Sequence, residues 1–280
     1  MRVGLVSVGL ALLLGAGIGP ASADDYDETE YRLKTAEVPV DLRERIHIAI
    51  RRGVAHLRKF QNADGSFDAN PGHTTLAGLA LRHAAIPDGI EGGRRAIAWL
   101  RKAGKEQSGM TTYGVGILAM LLTADNCHPE WNQSLHARFA KGPRKDKGYW
   151  GYEPSGGYPP PNLSTAQFAC LGLWAGERAG AKSATKAWRR HLDALLLAQQ
   201  PDGSWSYSPG RPAGRAHTWS FGYPTGTYKG LANLTLAAEA LREELREDPK
   251  LWSRTLLASA VARAALRRHV AWEFDSTILP

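Results

Sequence analysis

Four side chains outside the repeated patterns of the sequence could exchange protons with a substrate: the carboxylates Asp68 and Glu153 and the imidazoles His73 and His217. A carboxylic acid and an imidazole held near the same substrate atom are a common combination for general acid–base catalysis. A single carboxylate on a loop is usually solvated, so each of these residues alone is a weak catalytic candidate. Catalysis requires the fold to bring an acid and a base together in a cavity.

Aromatic side chains are concentrated in two long segments, residues 141–163 and 203–228. Both exceed the roughly 12 to 15 residues beyond which a structureless loop usually has a function. Aromatic faces suit stacking on sugars or wrapping an isoprenoid chain, but they also pin long loops to a scaffold. Both interpretations stay open for the candidates in the second segment. Together with residues at predicted helix starts, the ligand-binding candidates are Tyr113, Gln167, Trp219, Phe221, Tyr223 and Tyr228.

The elements that must position these residues are predicted to be helices, because a basic segment recurs with apolar residues at helical spacing. Arg51-Arg52-Gly53-Val54-Ala55-His56-Leu57 returns at residues 94–100, less closely at 189–195, and again at 267–272. These copies indicate amphipathic outer helices with basic outer faces. Charge-poor segments rich in small residues alternate with them, at residues 74–85, 111–124, 164–179 and 226–241. A helix that is apolar nearly all round is a buried one, so these are predicted inner helices.

A second repeated element follows two of the outer helices: residues 61–67 read Gln-Asn-Ala-Asp-Gly-Ser-Phe, and residues 199–205 read Gln-Gln-Pro-Asp-Gly-Ser-Trp. Glycine permits a tight turn, Asp or Ser caps the backbone beside it, and the glutamine and aromatic residue tie neighbouring helix ends together. Weaker versions occur near Met110 and Trp150. The turn residues are predicted to have a structural role. They are Gln61, Asp64, Gly65, Phe67, Trp150, Asp202, Gly203 and Trp205.

The Gln-x-x-Asp-Gly-Ser-Phe/Trp turn behind such helices resembles the QW-type repeat of the squalene cyclase and protein prenyltransferase superfamily, from about Leu42 to the C-terminus. The resemblance implies an all-α fold, an α/α toroid in which outer helices wrap parallel inner helices around a central cavity. The superfamily closes its ring with six helix pairs, whereas this chain supplies four clear pairs and starts a fifth. Either the ring is smaller or open, or another chain completes it.

The catalytic motifs of this superfamily are poorly matched. The Asp-x-Asp-Asp acid of the cyclases is absent, as is the Gly-Cys-Gly-Glu-Gln thioester of complement-type toroids. Prenyltransferases bind zinc through an Asp-x-Cys pair and a histidine, and Asp125-Asn126-Cys127 and His73 match these letters. Asp125 and Cys127, however, follow the end of a predicted inner helix, whereas the pair of the family opens one. We therefore predict no metal site and no cofactor.

The N-terminus has the pattern of a secretory signal peptide: Arg2, an apolar run from Val3 to Ile18, and Ala21-Ser22-Ala23 as a cleavage site. Cleavage near Ala23 predicts export to the periplasm or the medium, with an acidic tail at residues 24–41 and the toroid domain at 42–280. No later apolar stretch reaches the roughly 20 residues that a membrane span needs. Cys127 and Cys170 could pair in an oxidising compartment, but their spacing does not decide this.

The formal net charge of +8 is spread along the chain as arginine pairs, which argues against nucleic-acid binding and favours attraction to anionic envelope surfaces. The missing acid and metal motifs favour a binding or scaffold module. Its two aromatic-rich segments, at the opening of the toroid cavity, would hold a lipid, glycan or peptide. The alternative is a toroid enzyme, acting on isoprenoids as a cyclase or transferase, or on envelope polysaccharide as a lyase or hydrolase. A third hypothesis is self-association through the C-terminal helix, where an apolar stripe has no inner helix after it; its residues are Leu256, Leu257, Val261, Ala265 and Leu266.

Overall fold

The predicted all-α class is confirmed. The computed structural model describes residues 38–103, 110–143, 148–153, 162–207, 222 and 224–273, and among these residues all regular structure is helical. The helices are α1 (Val40–Phe60), α2 (Pro71–His83), α3 (Pro87–Lys102), α4 (Thr112–Ala124), α5 (Pro129–Ala140), α6 (Leu163–Arg178), α7 (Thr185–Ala198), α8 (Pro224–Ala240), α9 (Arg242–Glu247) and α10 (Pro249–Glu273).

The four predicted inner helices correspond to α2, α4, α6 and α8, and each begins and ends within three residues of the expected bounds. Their small and aliphatic side chains are buried, as Leu118 on α4, Ala169 on α6 and Ala237 on α8 illustrate. The four arginine-pair segments lie on α1, α3, α7 and α10. Two helices were not predicted, because α5 carries no arginine pair and α9 has only six residues.

The chain divides into two compact units. The first unit contains the described residues up to Ala103 together with Met120–Pro129, and the second contains Met110–Ala119 and the described residues from Glu130 onwards. The boundary between them in sequence falls within α4. In the first unit, α2 and α3 form an antiparallel pair whose close approach depends on glycine: a side chain at Gly89 would overlap the carbonyl oxygen of Leu81, and one at Gly78 would press on Ala96.

The turn after α1 is tied to α3, the next helix that carries an arginine pair. Within the turn, the Asp64 carboxylate accepts hydrogen bonds from the backbone N and the Oγ of Ser66, at 2.9 and 2.7 Å. The first of these bonds is the main cause of the lowered pKa of Asp64. The Gln61 Nε2 donates at 2.9 Å both to the Gly65 carbonyl inside the turn and to the Gly92 carbonyl on α3. One amide group therefore closes the turn and docks it.

The turn after α7, in the second unit, has the same contacts. Asp202 Oδ1 accepts from the backbone N and Oγ of Ser204 at 2.9 and 2.6 Å. Gln199 Nε2 donates to the Gly203 carbonyl at 3.0 Å and to the Ala258 carbonyl on α10 at 2.9 Å. The repeated Gln-x-x-Asp-Gly-Ser sequence thus forms the same docking interaction twice, between the turn after α1 and α3 and between the turn after α7 and α10.

The weaker turn around Trp150 docks on α7 in a related way. Gly148 adopts a φ of +70°, and a side chain there would overlap Ala194. The Tyr149 hydroxyl donates to the Ala194 carbonyl at 2.9 Å. Trp150 Nε1 donates to the carbonyl of Phe139 at 3.3 Å, as Trp205 Nε1 donates to that of Leu195 at 3.0 Å.

The second arginine of three of the four arginine pairs binds a backbone carbonyl in the loop after α1, α5 or α7, a role that the sequence pattern did not reveal. Arg95 Nη2 donates to the Asn62 and Ala63 carbonyls at 3.0 and 2.8 Å. Arg190 Nη1 donates to Pro143 O at 3.3 Å, and Arg268 Nη2 donates to Asp202 O at 2.6 Å. These side chains were predicted to form a basic outer face, but each also holds the preceding turn onto its own helix.

The predicted apolar stripe of the C-terminal helix is divided between two faces of α10. Ala265 and Leu266 are buried along with Ala258 and Ala262, whereas Leu256 and Leu257 are 51% and 63% exposed. Successive residues of a helix are 100° apart, so the five residues do not share one face. Self-association through this helix stays a prediction that rests on the exposed part of the stripe. None of the described helices has the length and apolar character that a bilayer span requires.

Replacing Gly65 by alanine tests the docked turn. Gly65 has a φ of +98°, and an added Cβ would overlap the backbone carbonyl of Arg95. We expect Gly65→Ala to lower the free energy of unfolding by about 2 kcal/mol or more. Gly53→Ala is the matched control, because Gly53 lies inside α1 with open space around its Cβ position, and it should stabilise the protein by roughly 0.5–1 kcal/mol. Denaturant unfolding measures both, and equal effects would contradict the docked geometry.

Candidate functional site

An aromatic cluster connects the loops of the second unit to its inner helices. It consists of Tyr113 on α4, Tyr152 in the loop after α5, Phe168 on α6 and Tyr207 in the loop after α7; we call it the tyrosine cluster. The Tyr113 ring centroid lies 4.9 Å from that of Phe168 and 5.7 Å from that of Tyr152. The Tyr152 and Tyr207 hydroxyl oxygens are 3.3 Å apart, which is within hydrogen-bond reach.

Backbone groups at the starts of two inner helices hold these loops. The Thr112 backbone N donates to Tyr152 O at 2.7 Å, and its Oγ1 donates to Gly151 O at 2.6 Å. The Leu163 N donates to Tyr207 O at 3.1 Å. The first amides of a helix have no partner inside the helix, so a loop carbonyl placed there satisfies them and is itself fixed. The positions of Tyr152 and Tyr207 are therefore set by the inner helices.

The tyrosine cluster combines apolar faces with hydrogen-bonding groups. Burial raises the pKa of Tyr113, so its phenol stays protonated at neutral pH and can donate a hydrogen bond. Lys229 Nζ lies 5.4 Å from the centroid of the Tyr207 ring. The three tyrosines are all half-buried, so part of each ring remains open to solvent.

The structure brings some of the predicted ligand-binding residues into this cluster and not others. Tyr113 belongs to it, but Gln167 is half-buried and Tyr228 is exposed, and no side-chain hydrogen bond or ring contact within the described part of the chain ties either to the cluster. Phe168 was not predicted; its place one turn after the start of an inner helix was the available signal. Four candidates lie outside the described residues: His217, Trp219, Phe221 and Tyr223.

One predicted acid and one predicted base do come together in the first unit. The His73 Nδ1 is 3.1 Å from Asp68 Oδ2. Asp68 and Ala69 both have positive φ, 52° and 47°, so the backbone of this loop is strained. The Asn70 Oδ1 accepts from the His73 backbone N at 3.0 Å and caps α2. The pair is well exposed: the Asp68 side chain is 81% and the His73 side chain 62% accessible to solvent. Water screens the electrostatic attraction of such a pair. The remaining acid candidate, Glu153, is exposed too.

The Asp125-Asn126-Cys127 segment forms a buried ion pair. Asp125 Oδ1 lies 3.0 Å from Arg82 Nε, and both side chains are less than a tenth exposed. Burial and the Asp125 charge raise the pKa of Cys127 to about 12, which keeps the thiol protonated, whereas zinc binds the thiolate. Among the described residues, no three or more His, Cys, Asp or Glu side chains are grouped as metal ligands would be. Cys127 and Cys170 are both free thiols in this structure.

His191 is a fully buried imidazole on α7 that packs against the Trp150 turn. Its Nδ1 donates to Gly148 O at 2.8 Å, and its ring packs edge-on against Tyr149 and Trp150, with centroids 5.3 and 5.2 Å away. Burial lowers the pKa of His191 to about 4, so the ring is neutral at pH 7. Its role is to support the turn that leads to Tyr152.

Comparison with known proteins adds no functional assignment. No protein-family model matches the chain, and no curated protein matches it significantly.

The buried His191 predicts a loss of stability in mild acid. The unfolded chain takes up a proton near pH 6.5 that the folded state does not accept until about pH 4. The free energy of unfolding is therefore highest at neutral pH and decreases as the pH falls from 6.5 towards 4. At pH 5 the decrease is about 2 kcal/mol. Denaturant unfolding at pH 7.5 and 5 should show a smaller difference for His191→Gln than for the wild type. The exposed His56 supplies the control His56→Gln, and a wild-type pH dependence in both variants would contradict the assignment.

Proposed function

We propose that this protein is an exported glycan-binding module built on an α/α toroid, with the tyrosine cluster as its binding surface. The cluster itself carries the proposal: three tyrosines and a phenylalanine from four separate segments converge, each ring partly open to solvent. The apparent signal peptide at residues 1–23 supports export, although it lies outside the described residues.

The helix contacts support a toroid. In the second unit, the starts of α4 and α6 meet at the same loop, because Thr112 binds the Gly151 carbonyl and Thr165 binds the neighbouring Trp150 carbonyl. Further along both helices, Gly116 of α4 packs against Phe168 and Gly172 of α6. Later residues of α4 therefore face later residues of α6. The described part of α4 in this unit thus runs parallel to α6, as inner helices of a toroid do. Each docked turn also binds the outer helix of the following pair. A repeated contact of this kind would carry the pairs around a ring.

The chemistry of the cluster favours a sugar over an isoprenoid lipid. A sugar ring presents an apolar C–H face and a rim of hydroxyls, and tyrosine offers a ring face for the first and a phenol for the second. Tyr152 and Tyr207 add hydroxyls 3.3 Å apart, and Lys229 adds a cation beside them. A hydrocarbon chain would gain nothing from these polar groups and would desolvate them on binding.

Close helix packing in this unit also counts against a lipid between α4 and α6. A side chain at Gly116 would overlap the Phe168 carbonyl, and Gly116 Cα lies 3.3 Å from the Cβ position of Gly172. The two backbones are thus in direct contact. A prenyl chain could not pass between them without separating the helices.

An enzyme remains the second candidate, on the strength of the Asp68–His73 pair. Its 3.1 Å separation is suitable for an acid–base pair, and its strained loop resembles the backbone of many active sites. Its exposure argues the other way, because general acid–base catalysis is most effective where the site excludes bulk water. A polysaccharide lyase or hydrolase would be the reaction class closest to the proposed ligand.

Native mass spectrometry of the purified protein tests the proposal, with the β-1,4-linked tetramer of N-acetylglucosamine and a polyprenyl phosphate as separate probes. We expect the tetramer to be retained and the double variant Tyr113→Ala/Tyr207→Ala to bind it about tenfold more weakly, because each stacked ring contributes about 0.5–1.5 kcal/mol. Phe60→Ala is the control, since it removes an exposed aromatic ring from α1. Thermal melting of each variant verifies folding.

The other outcomes are equally informative. Retention of the polyprenyl phosphate alone, or equal tetramer binding by the double variant and the control, would contradict a glycan site at the tyrosine cluster. Cleavage of the bound tetramer that is lost in His73→Ala would assign an enzyme at the Asp68–His73 pair.

A further inference from the structure

The first unit has a cavity of its own, with a volume of about 460 Å³, between the C-terminal half of α3 and the segment that follows α4. Arg94, Arg101 and Lys102 of α3 line it, together with Asp125 and His128. We call it the basic cavity. The tyrosine cluster contributes no residue to it, so the chemistry of the basic cavity is independent of the proposed glycan-binding function.

The charges around the basic cavity do not cancel. Asp125 is the only carboxylate among the described residues of the lining, and it already pairs with the buried Arg82 at 3.0 Å. The Arg94 Nε is farther from this carboxylate, at 3.7 Å, and the Arg94 side chain is 53% exposed. Arg101 and Lys102 make no ion pair with the described residues. Three formal positive charges are thus in excess after the Arg82–Asp125 pair is set aside.

The thiol in the lining does not reduce this excess. The burial that raises the pKa of Cys127 to about 12 keeps its sulfur neutral at physiological pH. The imidazole of His128 adds no negative charge. Every titratable group of the lining other than Asp125 is therefore neutral or cationic at neutral pH.

The segment opposite α3 holds an unusual backbone conformation. Asn126 and His128 have φ values of 48° and 53°, in the left-handed region that non-glycine residues rarely adopt. Backbone bonds from Asn126 N to Thr123 O at 3.1 Å and from Cys127 N to Leu122 O at 3.2 Å fix it onto the end of α4. This segment places Cys127 and His128 in the lining of the cavity. Backbone strain of this kind is often retained at binding sites.

We propose that the basic cavity binds a phosphate monoester. A phosphate monoester is a dianion near neutral pH, which matches the excess of positive charge better than a single carboxylate does. Guanidinium groups suit phosphate oxygens because their N–H groups form a planar fork. Ile97 and Ala98 supply an apolar part of the lining, which suits the organic body of the ester.

A solvated basic helix end would be the simpler explanation for two of these residues. Arg101 and Lys102 lie in the last turn of α3, where cations also stabilise the helix dipole. That role affects stability alone. It predicts no saturable binding of a phosphate ester, so a binding measurement separates the two explanations.

Isothermal titration of the purified protein tests the proposal, with glycerol 1-phosphate as the probe and glycerol as the uncharged comparison. We expect saturable binding of glycerol 1-phosphate and none of glycerol. Arg101→Ala/Lys102→Ala should weaken binding about tenfold or more, because hydrogen bonds between ionised groups and phosphate oxygens are stronger than those between neutral groups. Lys182→Ala/Lys186→Ala removes the same charge from two exposed positions of the second unit and should change the dissociation constant less than twofold.

A parallel measurement identifies the source of the phosphate. Phosphatidylcholine vesicles with and without phosphatidic acid present the same monoester on a lipid headgroup. We expect the wild type to bind the phosphatidic acid vesicles. If the Arg101→Ala/Lys102→Ala variant loses this binding and the Lys182→Ala/Lys186→Ala variant keeps it, the phosphate site is supported and its ligand is a lipid headgroup. Absence of binding to both phosphate probes, or equal losses in the two double variants, would overturn the proposal.

Discussion

The structure depends on one interaction, the docking of the turns after α1, α5 and α7 onto α3, α7 and α10 respectively. The glutamine that closes the turn donates a second hydrogen bond to a backbone carbonyl 31 residues ahead in the first unit and 59 residues ahead in the second. An arginine of the following helix donates back to the carbonyls of the turn. Each turn therefore gains its full set of hydrogen bonds only when the next of these helices is in place. The contact thereby joins helix pairs that local propensity alone would leave independent.

The same turns also bind the starts of α2, α6 and α8, which connects the repeat to the candidate site. The Thr74 Oγ1 accepts from Phe67 N at 2.9 Å, and the Thr227 Oγ1 accepts from Trp205 N at 3.3 Å. In the Trp150 turn, Thr165 Oγ1 donates instead to the Trp150 carbonyl at 2.7 Å. Because the tyrosine cluster lies where loops meet helix starts, its geometry follows from the turns. A change in a turn should therefore affect the geometry of the tyrosine cluster as well as stability.

Sequence reasoning predicted what short-range patterns encode and missed what depends on distant partners. The inner helices and the turns around Gly65 and Gly203 were predictable, because periodicity and glycine placement are local. The use of Arg95 and Arg268 as turn-binding residues was not, since an arginine on an amphipathic helix looks the same in sequence whether it meets solvent or a carbonyl. The contact of Phe168 with Tyr113 likewise requires two helices to be adjacent, and the basic cavity requires α3 to meet a segment more than twenty residues later.

A comparison of Arg95→Ala with Arg52→Ala tests the docking interaction most directly. The two residues are the second arginines of successive copies of the repeat, but Arg95 binds the turn after α1, whereas Arg52, in the first copy, has no hydrogen bond with the described residues. In denaturant unfolding, Arg95→Ala should cost about 1–2 kcal/mol, and Arg52→Ala should stay within about 0.5 kcal/mol of the wild type. Equal losses would show that arginine contributes at this position without the turn, and would contradict docking as the basis of the fold.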